Sequence, residues 1–336
     1  VGMCRNRIAV FHIPTDPAPV AHIIVNPTLQ NGRRCDIIGV PVQDSRCREK
    51  GNNMKLETLK QKMDAAHYIY DDTLATVLTV ALQLGRPLLI EGAAGVGKTE
   101  VAKVMASALD RELVRLQCYE GLDESKALYE WNYQKQLLSI QVHMASQDRE
   151  ELTRSLFSDE YLLERPLLHS IRSEKPVVLL IDEIDKADEE VESFLLQALG
   201  EKEITINDLG TFQLANDLIV ILTSNSQRSL LDETKDRCLF LYIPYPSVER
   251  EIEIVKSRLP GAEDETVSKI VKIVHEIRNL NLMKKPSVRG TVDWVRSVSS
   301  LGTKNFNKSL EDSIGVAIKT ESDKKRVLKD VIHKKY

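Results

Sequence analysis

No stretch of this 336-residue chain limits the possible folds more than the segment from Leu88 to Thr99. Leu88-Leu89-Ile90 is an apolar strand signal, Gly92-Ala93-Ala94-Gly95-Val96-Gly97-Lys98-Thr99 is a complete phosphate-binding loop, and a helical run starts at Lys98. Glycines at these positions let the backbone wrap closely enough for successive N–H groups to face phosphate, and the helix that follows adds its positive N-terminal dipole. Lys98 then neutralises phosphate charge and Thr99 holds Mg²⁺, with the nucleotide-contacting stretch running from Gly92 to Glu100. A dinucleotide fingerprint is the competing glycine reading. It fails here because Gly95-Val96-Gly97-Lys98-Thr99-Glu100 lacks a third glycine and carries a lysine which that fold does not need.

A second element arrives where such a fold requires it. Pro176-Val177-Val178-Leu179-Leu180-Ile181 is a continuous apolar, β-branched run, expected of a central parallel strand buried on both faces, and it ends in Asp182-Glu183. Acids at that strand end face the phosphates. Asp182 can hold Mg²⁺ directly or through water, and Glu183 can orient and deprotonate an attacking water. Asp185 and Asp188 read as caps of the next helix, 189–199, and are assigned no chemistry.

Strand patterns recur at 112–117, 177–181, 218–223 and 239–243, separated mostly by helical stretches. That is the rhythm of a five-stranded parallel α/β sheet covered on both faces. Segments 203–206 and 211–214 flank Asn207-Asp208-Leu209-Gly210 and read as an inserted β-hairpin. Residues 54–84 carry one helical pattern, broken at Gly85-Arg86-Pro87. After Pro244-Tyr245-Pro246 the strands stop, and helical patterns at 248–259, 265–279, 291–299 and 308–318 make a separate helical domain. The expected organisation is a nucleotide-binding core over 54–246 and a helical lid over 247–336.

Residues 1–53 differ in composition: five of the twelve prolines and three of the five cysteines fall there, with six Arg to one Lys. The pattern starting at Met54 leads us to expect that residue as the natural start, with 1–53 either translated upstream sequence or a disordered extension. Five cysteines without paired short spacing argue against a disulfide framework and a structural zinc site. Nothing approaches a membrane span, and Val20–Val25 makes no signal-peptide core, so a cytoplasmic location is expected. A formal charge of −4 and the lack of a basic stripe near the nucleotide motifs weaken a nucleic-acid role. The Lys-rich end, 319–335, reads as a solvated helix face.

The nucleotide loop, the acidic strand end, the later strand ending in Thr223-Ser224-Asn225, Arg237 before a last strand, and the helical lid together resemble an AAA+ ATPase. The hairpin at 203–214, Asp182-Glu183-Ile184-Asp185-Lys186-Ala187 and Asp236-Arg237-Cys238-Leu239-Phe240 resemble the MoxR group. Cys118-Tyr119-Glu120-Gly121-Leu122-Asp123 and Ala127-Leu128-Tyr129-Glu130-Trp131-Asn132-Tyr133 are similar to its CoxD-like branch, linked to maturation of carbon monoxide dehydrogenase. The resemblance implies ATP and Mg²⁺ as ligands and ATP hydrolysis as the reaction. It implies that Asn225 is the polar sensor holding the attacking water and that Arg237 is an arginine finger reaching the neighbouring subunit's nucleotide in a ring, a hexamer by family habit. Arg289, in Pro286-Ser287-Val288-Arg289, falls where family members carry a lid arginine, though its flanks depart from the pattern and a surface arginine is the alternative. Ala94 replaces a usual proline and alters loop stiffness rather than phosphate contact. The implied partners are a client metalloenzyme of the molybdenum hydroxylase type and a von Willebrand A-domain protein. An activase or chelatase motor, a nucleic-acid motor and a nucleotide-gated binding module are the competing readings. For Trp131 and Tyr133, packing of an insert competes with client contact.

Overall fold

The computed structural model describes residues 54–143, 156–201, 203–206, 209–214, 217–301 and 306–335. All of these fall in one compact unit, residues 46–336. The expectations for residues 1–53, and the hairpin turn residues Asn207 and Asp208, lie outside the described residues.

Two helices, α1 (Leu56–Ala65) and α2 (Asp72–Leu84), lead into β1 (Leu88–Gly92). The single helical pattern expected over 54–84 is therefore corrected to two helices. His67 has a positive φ of 53°, which ends the first, and the Asp71 carboxylate accepts the Leu74 N–H at 2.7 Å, which starts the second. From β1 the chain turns through the glycine loop into α3 (Lys98–Leu109) and β2 (Glu112–Gln117). An insert follows: α4 (Glu124–Leu128), β3 (Tyr129–Trp131), α5 (Tyr133–His143), β4 (Leu162–Glu164) and α6 (Pro166–Arg172), with β3 and β4 paired antiparallel. The chain then enters β5 (Val177–Asp182), α7 (Glu189–Glu201), the antiparallel hairpin β6 (Glu203–Ile206) and β7 (Gly210–Gln213), β8 (Leu218–Ser224), α8 (Asp232–Arg237) and β9 (Leu239–Ile243).

Strands β2, β5, β8, β1 and β9 lie side by side in that order, all parallel. The five strand expectations fall on these five strands to within a residue or two at their ends. Every residue of β5 is buried, as its unbroken apolar run requires. Each such Val, Leu or Ile contributes about 1.5–3 kcal/mol by leaving water. Apolar clusters cover both faces: Leu89, Leu179 and Ile181 face the insert and hairpin, while Ile90, Leu180 and Ile221 face α1, α2 and α3. The parallel register puts Gln117 opposite Asp182, and Ile90 opposite Thr223. The carboxyl ends of β1, β2, β5 and β8 therefore open at one edge, where ligands of such sheets bind.

Beyond β9 the described chain is helical: α9 (Val248–Arg258), α10 (Asp264–Asn279), α11 (Val288–Leu301), α12 (Phe306–Ser313) and α13 (Glu321–Val327). The pattern at 308–318 resolves into α12 and a short 3₁₀ turn, Ile314–Val316. These helices bury their own core around Trp294, Ile270, Val274 and Leu310. At the Lys-rich end Val327, Val331 and Ile332 point inward while Lys325 and Lys329 are exposed.

Candidate functional site

The glycine loop works by close approach. Gly92 is the last residue of β1, and a Cβ there would lie 2.3 Å from the Ile243 carbonyl oxygen. Gly95 has φ +77°, and a Cβ there would lie 2.6 Å from Cβ of Ser287, so the helical region sits directly on the loop. Gly97 precedes the first turn of α3, which no side chain caps.

Lys98 is only 7% exposed, and its ammonium donates to the Gly92 carbonyl (2.7 Å), the Ala93 carbonyl (3.0 Å) and Asn225 Oδ1 (2.8 Å). Burial lowers its pKa, against the opposing pull of Asp185, Asp182, Glu183 and Glu91. Thr99 Oγ1 lies 3.2 and 3.3 Å from the two oxygens of Asp182. The Thr223 hydroxyl donates to Asp182 Oδ1 and accepts the Glu183 N–H at 2.9 Å, so one side chain of β8 fixes both acids. Arg115 pairs with Asp182 from β2, its Nε donating at 3.1 Å.

Glu183 sits at φ +58° where the chain leaves β5. Its Oε1 accepts from Asn225 Nδ2 at 3.4 Å, and its Oε2 accepts from Gln117 Nε2 at 3.2 Å and from Lys186 Nζ at 2.5 Å. Asp185 does not cap α7, which corrects the sequence expectation. The 3₁₀ turn Ile184–Lys186 buries it to 4% exposure, and its Oδ2 accepts the N–H groups of Asn225 (3.1 Å) and Gln227 (3.0 Å), holding the loop that presents Asn225. Asp188 precedes α7, and its carbonyl accepts the Glu192 N–H at 3.0 Å.

These groups floor a cleft of about 1080 Å³ between sheet edge and helical region, large enough for a nucleotide. Ala94, Gly95, Val96, Gly97, Lys98, Thr99 and Glu100 line it, with Asp182, Glu183 and Asn225. Gly92 and Ala93 instead serve Lys98 through their carbonyls. Glu100 faces the cleft but pairs with Arg258 of α9 at 2.8 Å. Arg289, on the first turn of α11, is exposed and lines the opposite wall beside Arg296. At the far end stand His67, Tyr68 and Ile69, where burial pushes the Tyr68 phenol up to about 12.

Arg237 is not among the cleft-lining residues. It ends α8, about two-fifths exposed, paired with Glu233 and donating to the Leu196 carbonyl at 3.3 Å. Trp131 packs edge-on against Tyr129 and Phe157 over the sheet's apolar cluster, whereas Tyr133 is exposed. Thr99 and Asp182 supply one hydroxyl and one carboxylate at a common point. Hard oxygen donors, few in number, fit Mg²⁺, which keeps several waters and phosphate oxygens of its own.

Gln117, Arg115, Thr223 and Ser287 received no role from the sequence. Gln117 and Thr223 carried a usable signal, each as the last residue of a strand expected in the same sheet.

Residues 87–238 match the family model of the AAA domain, dynein-related subfamily. The chain is 26% identical over 212 residues to the chaperone protein ClpB of Blochmanniella floridana, covering 59% of this chain and 21% of that protein. It is 24% identical over 206 residues to the gas vesicle ATPase GvpN of Haloferax mediterranei, covering 59% and 58% respectively. The solved structure of a RuvB mutant from Thermotoga maritima aligns at 17% identity and TM-score 0.41, over 82% of this chain and 70% of that one. The chain thus spans between 21% and 58% of the length of these curated relatives. The phosphate loop and the acidic strand end both lie within residues 87–238, the part of the chain that is similar to an AAA domain. Among the described residues no helix is long and apolar enough to cross a membrane.

Proposed function

We propose that this chain binds Mg²⁺·ATP in the cleft and hydrolyses it to drive remodelling of a partner protein. The observation that carries the reading is the convergence of Lys98, Thr99, Asp182, Glu183 and Asn225 within hydrogen-bonding reach at one sheet edge. The loop from Gly92 to Thr99 cradles the phosphates, with Lys98 turning its ammonium from the carbonyls and Asn225 toward the β- and γ-phosphates. Thr99 and Asp182 would hold Mg²⁺, which supplies charge neutralisation on the phosphates. Glu183 orients the attacking water and accepts its proton, and Asn225, 3.4 Å from that carboxylate, fixes the water's position. Glu183 acts once it leaves Gln117 and Lys186. Arg289 contacts phosphate from the helical wall.

Residues 54–246 act as the core and 247–336 as a lid that moves against it. Arg237 completes the site of a neighbouring subunit in a ring, six-membered in the family pattern, because it lies outside its own cleft and is about two-fifths exposed. The printed names of the relatives, a chaperone and a gas vesicle ATPase, support a remodelling role. The motif resemblance supports a MoxR-group, CoxD-like protein acting in the cytoplasm on an immature metalloenzyme of the molybdenum hydroxylase type with a von Willebrand A-domain adaptor. An activase or chelatase motor would use the same core. The ties of Glu183 to Gln117 and Lys186 favour, as a second reading, a nucleotide-gated binding module.

The test is phosphate release from Mg²⁺·ATP by wild type and Glu183→Gln, beside ATP binding by calorimetry. Glu183→Gln is expected to bind ATP and lose hydrolysis by about 10²–10⁴-fold. Equal turnover in both proteins contradicts the role of Glu183, and binding without turnover in wild type leaves the gated module.

A further inference from the structure

One buried side chain, Arg278, contacts both the residue before Ser287 and the connection between β9 and α9. Glu251 on α9 is fully buried, and its carboxylate accepts from both terminal nitrogens of Arg278 on α10 (2.5 and 2.8 Å) and from Thr291 Oγ1 on α11 (2.7 Å), with His275 Nε2 2.8 Å away. A pair of buried charges persists only with such complete hydrogen bonding. Arg278, 6% exposed, also donates to Thr291 Oγ1 at 3.4 Å and makes two contacts outside the Glu251–Thr291 cluster. Its Nε donates to the Pro286 carbonyl at 2.9 Å, and its guanidinium carbon lies 4.4 Å from the centroid of the Tyr245 ring.

Both contacts lead to functional places. Pro286 precedes Ser287, the residue seated on Gly95 of the phosphate loop. Ser287 also starts α11, its Oγ accepting the Gly290 N–H at 3.0 Å and its carbonyl the Thr291 N–H at 3.0 Å. Tyr245 lies in Pro244-Tyr245-Pro246, the connection between β9 and α9. The planar guanidinium contacts Glu251, the Pro286 carbonyl and the Tyr245 ring at once in a fixed fork.

We propose that Arg278 is a positioning residue that couples the seating of Ser287 on the phosphate loop to the hinge at Tyr245. The coupling rests on the nucleotide reading above. Glu251 anchors one end of the guanidinium within the helical region, and the free contacts, the Pro286 carbonyl and the Tyr245 ring, move together. Nucleotide that orders residues 92–99 thereby orders the hinge.

The experiment is amide hydrogen exchange on the full chain with and without saturating Mg²⁺·ATP, for wild type, Arg278→Lys and Tyr245→Leu. Wild type is expected to gain protection at 92–99 and at 245–250. Both variants are expected to keep the loop gain while the hinge gain shrinks by about fivefold or more. Trp294, fully buried with Nε1 donating to Ser313 Oγ at 2.9 Å, reports in a Trp131→Phe background that the helical core is intact. Hinge protection that rises in both variants as in wild type overturns the coupling, as does a wild-type loop gain without a hinge gain. Where Arg278→Lys loses the buried Trp294 emission, Tyr245→Leu decides alone, since it removes the stacked ring and none of the Glu251 hydrogen bonds. A wild-type loop that gains no protection with ATP removes the nucleotide reading itself, and the coupling falls with it.

Discussion

Thr223 sets the geometry of both acids with a single hydroxyl, donating to Asp182 and accepting from the Glu183 amide. Thr223→Val keeps the shape and leaves a buried carboxylate oxygen and an N–H without that partner. The expected cost is about 1–3 kcal/mol, read as a lower urea midpoint at unchanged slope. A variant as stable as wild type would mean that Arg115 and Thr99 suffice to hold Asp182. The strand that carries the acids was legible in the sequence, because an unbroken apolar run ending at Asp182-Glu183 reads as a strand buried on both faces. Asp185 was misread for a physical reason: a cap and a loop brace use the same short carboxylate, and only the 3₁₀ turn after β5 decides which N–H groups it meets. Gln117 and Arg115 went unassigned because their roles come from parallel register with β5, which no local pattern encodes.

Among the elements, α2 shows how local chemistry reaches across the fold. Asp71 caps it through the Leu74 N–H and also pairs with Arg250 of α9 at 2.8 Å. Burial raises the Asp71 pKa, but the Leu74 N–H and the Arg250 guanidinium outweigh it and leave the carboxyl below its ordinary value. A depressed carboxylate stabilises the fold above the unfolded-state pKa and loses that contribution as pH falls through the folded-state value. Asp71→Ala is therefore expected to cost about 0.5–2 kcal/mol at pH 7. The gap to wild type should close as pH drops below about 4 in a series of denaturant melts. A gap unchanged down to pH 2 would show that charge plays no part. The break between α1 and α2 escaped the sequence reading because apolar residues continue through it. What interrupts the helix is the left-handed backbone at His67, a residue with no intrinsic demand for that conformation. The five core strands were legible because each is short, apolar and bounded by turns. The pairing of β3 with β4 was not, since three-residue strands far apart in sequence leave no periodicity to read.

At the scale of the whole molecule, two cores meet at a cleft, and the one cationic group that the family resemblance assigns to catalysis outside that cleft is Arg237 at the end of α8. As the finger proposed above, Arg237 would serve hydrolysis from another copy of the chain, which would make catalysis and assembly one property. Steady-state hydrolysis of Mg²⁺·ATP, measured per mole of protein over a wide concentration range for wild type, Glu183→Gln, Arg237→Ala and an equimolar mixture of the two variants, tests this most directly. Wild-type specific activity should climb with concentration, each variant alone should be nearly inactive, and the mixture should regain activity, because some junctions then pair an intact Glu183 with an intact Arg237. A specific activity independent of concentration, with Arg237→Ala turning over as fast as wild type, would contradict a hydrolytic site completed between subunits.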